Sequence, residues 1–93
     1  MDTNKGKNSL VLYRKRMGFS QKQVAQLLGR NDASTLSQYE HGRTLPTLTA
    51  ALSLEIIYRI PVAYLFPDMY QQLKAHIREQ EEILAGRGQR TLF

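Results

Sequence analysis

Residues 20–42 read SQKQVAQLLGRNDASTLSQYEHG, two short apolar runs, each opened by a polar residue, with Gly-Arg-Asn-Asp between them. In the first run Ser20 and Gln23 stand three apart. At that spacing a serine hydroxyl and a glutamine amide satisfy each other's free backbone donors at a helix start. Val24, Ala25 and Leu28 follow at helical spacing, and Gly29 stands where a left-handed residue ends a helix, which predicts a helix over 20–28. In the second run Asp32 offers a cap, Leu36 and Tyr39 form a narrow apolar stripe and Gly42 closes it, which predicts a helix over 33–41. Its remaining positions are mostly small and polar.

Two short helices joined by a few residues containing glycine have the form of a helix-turn-helix, whose second helix lies in the major groove where the unit binds DNA. The small polar residues then have a use, facing base edges. Upstream, residues 9–17 place Leu10, Tyr13 and Met17 on one helical face beside Arg14, Lys15 and Arg16, with Gly18 as the stop. Downstream, Thr47 caps a fourth helix running to about Tyr58, with Leu48, Ala51 and Leu52 expected to face inward. Pro61 fits the first turn of a short fifth helix that Pro67 stops. Asp68 and Gln71 repeat the capping-box spacing and open a sixth, DMYQQLKAHIREQEEILA. No strand is predicted. The expected organisation is all-α: a flexible basic arm over 1–8, a five-helix unit over 9–66, a C-terminal helix over 67–85 and a flexible tail over 86–93.

Ninety-three residues make one domain with a modest core, too small for a two-lobed enzyme with a deep cleft. No Ser/His/Asp order, carboxylate pair or glycine-rich phosphate loop stands out, so no enzyme is expected. The chain has no cysteine, and its only histidines, His41 and His76, lack ligand-like spacing, so neither a metal nor a cofactor is expected. No apolar run approaches eighteen residues and the first residues are polar, which predicts neither a membrane span nor a signal peptide. The net charge of +5 is concentrated: Lys5, Lys7, Arg14, Lys15, Arg16 and Lys22 face Asp2 alone within residues 1–22, and the remainder balances. A basic arm and first helix beside a helix-turn-helix would attract a phosphate backbone, although a solubilising N-terminus accounts for the charge equally well.

Residues 10–66 resemble the Cro/repressor-type, or XRE-like, helix-turn-helix family of bacterial and phage transcription regulators. The resemblance lies in L..YR...GFSQ from Leu10 to Gln21, VAQLLG from Val24 to Gly29, STLSQYEHG from Ser34 to Gly42, Pro46, and IPVAYLF from Ile60 to Phe66. It implies a five-helix lambda-repressor-like domain whose third helix reads double-stranded DNA, commonly as a homodimer on a two-fold symmetric operator. It also implies a transcriptional regulator, expected to be a repressor, encoded by a bacterium or phage and working in the cytoplasm at the nucleoid. The same domain type occurs in antitoxins that bind a partner toxin and autoregulate their operon, and that is the alternative.

Carried over residue by residue, the resemblance gives Ser34, Ser37 and Gln38 as base readers, and Gln21, Thr35, Arg43 and Thr44 as phosphate contacts. It also gives Arg14 and Glu40 as a partly buried ion pair joining the first and third helices. From Gly29 to Gly42 the chain is one residue longer than the common family spacing. Ala33 stands where many relatives carry a long polar reader, so Arg30 and Asn31 in the longer turn become candidate DNA contacts. His41, at the end of the third helix, suits either the helix dipole or a phosphate. Glu55 and Arg59, four apart, are expected to pair on the surface of the fourth helix. Tyr39, Tyr58 and Tyr64 read as core. In the sixth helix Tyr70, Leu73, Ile77 and Leu84 form an apolar seam broken at Gln80, which either packs back on the fourth and fifth helices or pairs with a second chain.

Overall fold

A computed structural model describes residues 8–86. In them it places six helices and no strand: α1 Leu10–Met17, α2 Gln21–Leu27, α3 Ser34–Glu40, α4 Leu48–Tyr58, α5 Val62–Leu65 and α6 Pro67–Gly86. The fold is the all-α, lambda-repressor-like arrangement of five helices with a sixth appended. Most of the expected arm and tail lies outside the described residues. Asn8, however, belongs to the folded unit rather than to an arm. Its Nδ2 donates to the Tyr39 carbonyl at 3.0 Å and its Oδ1 accepts from the Leu10 amide at 3.0 Å, capping α1 and tying it to α3.

The helix-turn-helix is set by its ends. The Ser20 hydroxyl accepts from the Gln23 amide at 3.1 Å while Gln23 Oε1 accepts from the Ser20 amide at 2.8 Å, a complete capping box. At the other end of α2 Gly29 takes φ +80°. The amides of Gly29 and Arg30 then reach back to the carbonyls of Gln26 and Ala25 at 2.9 and 2.8 Å. That pair of bonds needs a left-handed residue, and it is what turns the chain toward α3.

Further along, several expectations change. Pro61 is the N-cap of α5, and it is Pro67 that occupies a first helical turn, in α6, where a fixed φ and a missing N–H cost nothing. Asp68 consequently lies inside the first turn of α6 instead of capping it. Arg59 leaves the helical region at φ +60°, so its side chain no longer sits one turn above Glu55. Glu55 Oε1 accepts from the Val62 amide at 3.1 Å instead, serving the start of α5. Tyr64 is 58% exposed and is no part of the core.

The core is Leu10, Val24, Leu36, Tyr39, Leu54, Tyr58, Leu65 and Phe66, with Tyr13, Met17, Leu28, Ala50 and Ile57 packed around it. α4 is rotated from its expected register. It turns Ala50, Leu54, Ile57 and Tyr58 inward and leaves Leu48 and Ile56 75% exposed and Leu52 48% exposed. Only Thr49, Ser53 and Glu55 interrupt the apolar run of this helix, so its spacing favours no one side. α6 touches the core through Met69 and buries no residue of its own. Tyr70 and Leu73, at the start of its seam, share a groove with Ala51 of α4, and Tyr70, Leu73, Ile77 and Leu84 each stay about half exposed. At about 1.5 Å per residue the helix is about 30 Å long, a large share of the molecule's 54 Å long dimension.

Candidate nucleic-acid interface

α3 has one side committed to the fold and one free of it. Leu36 and Tyr39 are buried, whereas Ser34, Ser37, Gln38 and His41 recur at i, i+3, i+4 and i+7 along the opposite side. Ser34, Gln38 and His41 are exposed and Ser37 is half-buried; Thr35 lies off this row and is half-buried. Arg43 and Thr44 are exposed in the segment after α3, as are Arg30 and Asn31 in the turn before it. The sequence-derived readers Ser34, Ser37 and Gln38 thus share one face, and His41 joins them.

The orientation of that face is fixed from behind by Glu40. Its carboxylate accepts from Arg14 Nε at 2.6 Å, from Arg14 Nη2 at 3.3 Å and from Gln21 Nε2 at 2.7 Å. The Arg14 side chain is 12% exposed and that of Glu40 2%. Arg14 Nη1 also donates to the Phe19 carbonyl at 3.1 Å. One carboxylate therefore joins α1, α2 and α3 through a forked, charge-assisted contact, the geometry in which an arginine pair is strongest. Two consequences follow. Arg14 is neutralised, leaving Lys15 and Arg16 as the exposed cations of α1, with the Arg16 guanidinium 5.2 Å from the Tyr13 ring centre. Gln21 commits one of its two amide N–H donors to Glu40.

At the start of α3 Asp32 Oδ1 accepts from both the amide and the hydroxyl of Ser34, at 2.9 and 2.7 Å. These two bonds, the amide first, hold the Asp32 carboxyl below its ordinary pKa. The Ser34 hydroxyl proton is spent on Asp32, so the serine offers lone pairs outward. The first turn of α3 presents acceptors. At the other end His41 Nδ1 lies 2.8 Å from the Ser37 carbonyl, which can only accept, and 3.3 Å from the Ser37 hydroxyl, so the ring is held against Ser37 through Nδ1. Neither the acceptor pair nor the pinned imidazole was evident from spacing, since both depend on how the helix ends are bonded.

Beneath α3 the Tyr58 hydroxyl is the single buried side-chain polar atom without a hydrogen-bond partner among the described residues. Burial first, and the neighbouring Glu40 charge second, push its pKa well up, so the phenol stays neutral.

A family model described as helix-turn-helix matches residues 10–65, more than half of the chain and the whole of α1 to α5. No curated protein and no solved structure matches the chain. Among the described residues no helix is long and apolar enough to cross a membrane.

Proposed function

The chain belongs to the Cro/C1-type, XRE-like helix-turn-helix family of DNA-binding regulators, and from that premise we propose that it is a sequence-specific transcriptional repressor. The observation that carries this reading is the division of α3. Its inner side is locked by Glu40, Leu36 and Tyr39, and the row Ser34, Ser37, Gln38 and His41 has no duty in the core. In the major groove Gln38 would pair with an adenine through two hydrogen bonds. The Asp32–Ser34 acceptors favour a base edge that donates, such as the amine of cytosine or adenine. Gln21, Thr35, Arg43 and Thr44 would meet phosphates and fix the register, with Arg30 and Asn31 extending the contact from the longer turn. Such a protein works in the cytoplasm, on the nucleoid.

One recognition helix with Ala33 at its N-cap in place of a long reader touches too few base edges to select a site in a genome, so the proposed unit is a homodimer. Its two α3 helices would sit about 34 Å apart on inverted half-sites about ten base pairs between centres.

Selecting bound fragments from random DNA tests the reading. Enrichment of a two-fold symmetric sequence, which then silences a reporter when placed at its promoter, is the expected result; no enrichment at all would overturn it. On the selected site Gln38→Ala should lose about 1–3 kcal/mol and on random DNA very little, whereas Arg43→Ala should weaken both alike.

A further inference from the structure

The outer side of α4 carries Leu48, Leu52 and Ile56 in one row at i, i+4 and i+8, and all three are exposed. Beside that row an apolar groove of about 390 Å³ opens between α4, α5 and the first turns of α6, with Leu45, Pro46, Ala51, Val62, Phe66 and Leu73 among its walls. α6 leaves this groove with Tyr70, Leu73, Ile77 and Leu84 each about half exposed and nothing buried. A helix that is apolar on all sides is one that gets covered, and α4 is covered on its inner side alone.

We propose that a second copy of the chain completes this surface by reciprocal docking: α6 of each copy lies across α4 and along the groove of the other. The inference rests on the dimeric reading above and names the face that makes the dimer. Four features point to it. The chain carries both an uncovered apolar helix and an uncovered apolar groove, so a two-fold pairing makes the same contact twice and closes. The seam is long enough to cover both surfaces, since Tyr70 to Leu84 spans about 21 Å and the Leu48–Ile56 row about 12 Å at about 1.5 Å per residue. The row, the groove rim and the seam together offer eight large apolar residues per copy, each 46–75% exposed, toward the about 800 Å² per partner that a stable interface buries. Finally, a coiled coil of α6 on α6 would be short, broken at Gln80, and would leave Leu48, Leu52 and Ile56 in water. Reciprocal docking covers both surfaces.

The chain has no cysteine, so single cysteines report contacts cleanly. Leu52→Cys protein is mixed with Leu73→Cys, Ile77→Cys or Leu84→Cys protein, without DNA, and oxidised, while sedimentation follows the unmodified chain. Expected are a dimer and a disulfide-linked product joining the Leu52→Cys chain to at least one of the α6 variants, because a disulfide needs Cα atoms within about 7 Å. A dimer in which α6 variants link only to themselves overturns the docking and leaves the dimer standing. A chain that stays monomeric both free and on its selected DNA, as it would if this face served a different protein, overturns both. Neither result touches the reading of α3, which the DNA selection tests separately.

Discussion

Around Glu40, α1, α2 and α3 meet through polar atoms whose partners are almost all inside the chain. Two donors from Arg14 and one from Gln21 converge on a carboxylate 2% exposed, and Arg14 reaches on to the Phe19 carbonyl. Around Leu52, twelve residues on, the situation is reversed. The surface is apolar, and Leu48, Leu52 and Ile56 stand about half to three-quarters exposed on it. The first region is closed by directional bonds, which hold a helix at one angle while leaving its far side free for a different molecule. The second is held open by lack of apolar area to bury against, and non-directional surface of that kind is completed by whatever supplies more of it.

Removing a partner from the closed region should have the largest effect. Glu40→Gln leaves the Arg14 guanidinium largely buried with its charge unmatched, and loss of one member of a buried pair costs about 3–5 kcal/mol. The midpoint of urea unfolding should fall accordingly, and Arg14→Met should fall by a similar amount. If both variants unfold with the wild-type midpoint, water screens the pair and the contrast with the open region fails.

The two sides of α4 sharpen the same contrast within one helix. Leu54 is fully buried, so Leu54→Ala should cost about 2–5 kcal/mol by losing packing and leaving a cavity. Ile56 is 75% exposed, and Ile56→Lys should change the monomer's stability by about 0.5 kcal/mol or less while weakening self-association at least about tenfold. Comparing unfolding with sedimentation for both variants separates fold from assembly. A large loss of monomer stability in Ile56→Lys would place that side chain in the core.

How much of this could be read from the sequence depended on whether the information was local. The start of α2 was legible because Ser20 and Gln23 serve each other within one turn. The side of α4 that faces the core was not, because apolar residues on nearly every side give the spacing no direction; packing against α1 and α5 chose it. The Glu55–Arg59 pairing failed for a reason in the backbone, the left-handed turn at Arg59, which the side-chain pattern does not encode. In the candidate site the reading face followed from helical spacing. The Gln21–Glu40 contact and the Asp32–Ser34 bonds required knowing where α3 begins and what lies behind it.

Arg59 offers a smaller test. α1, α2 and α3 each close on a glycine with positive φ, at Gly18, Gly29 and Gly42, and α4 closes on Arg59 at φ +60° with its own amide and that of Ile60 on the Glu55 carbonyl. A residue with a Cβ is strained there by about 1–2 kcal/mol, and glycine relieves it at some cost in unfolded-chain entropy. Arg59→Gly should therefore stabilise the chain by up to about 1 kcal/mol, read as a rise in the thermal midpoint. A fall would mean that the arginine side chain holds the α4–α5 turn by contacts of its own.

The smallest effect is expected at Asp32, the carboxylate just ahead of α3. Asp32 and Glu40 stand at opposite ends of the same helix, one in water and one enclosed, and they should respond differently to neutralisation. Asp32 accepts two bonds from Ser34 at the positive end of the helix dipole, and its pKa is lowered from the ordinary 3.8. A carboxylate whose folded pKa is depressed stabilises the fold at every pH above its unfolded value, and that contribution is lost as pH falls from 3.8 through the lower folded value. Asp32→Asn keeps an oxygen that can cap the helix and removes only the charge. Its stability should therefore lie slightly below wild type at neutral pH, with the gap closing on acidification below 3.8, and salt should narrow it because Asp32 is exposed. Urea unfolding at a series of pH values measures the gap. A difference constant through the acid limb would assign it to hydrogen-bond geometry alone. The same variant presents an amide, with donors as well as an acceptor, at the first turn of α3, so DNA selection with it should relax the preference for a donating base edge at that position. An unchanged preference would mean that the Asp32–Ser34 pair orients α3 without reading the DNA.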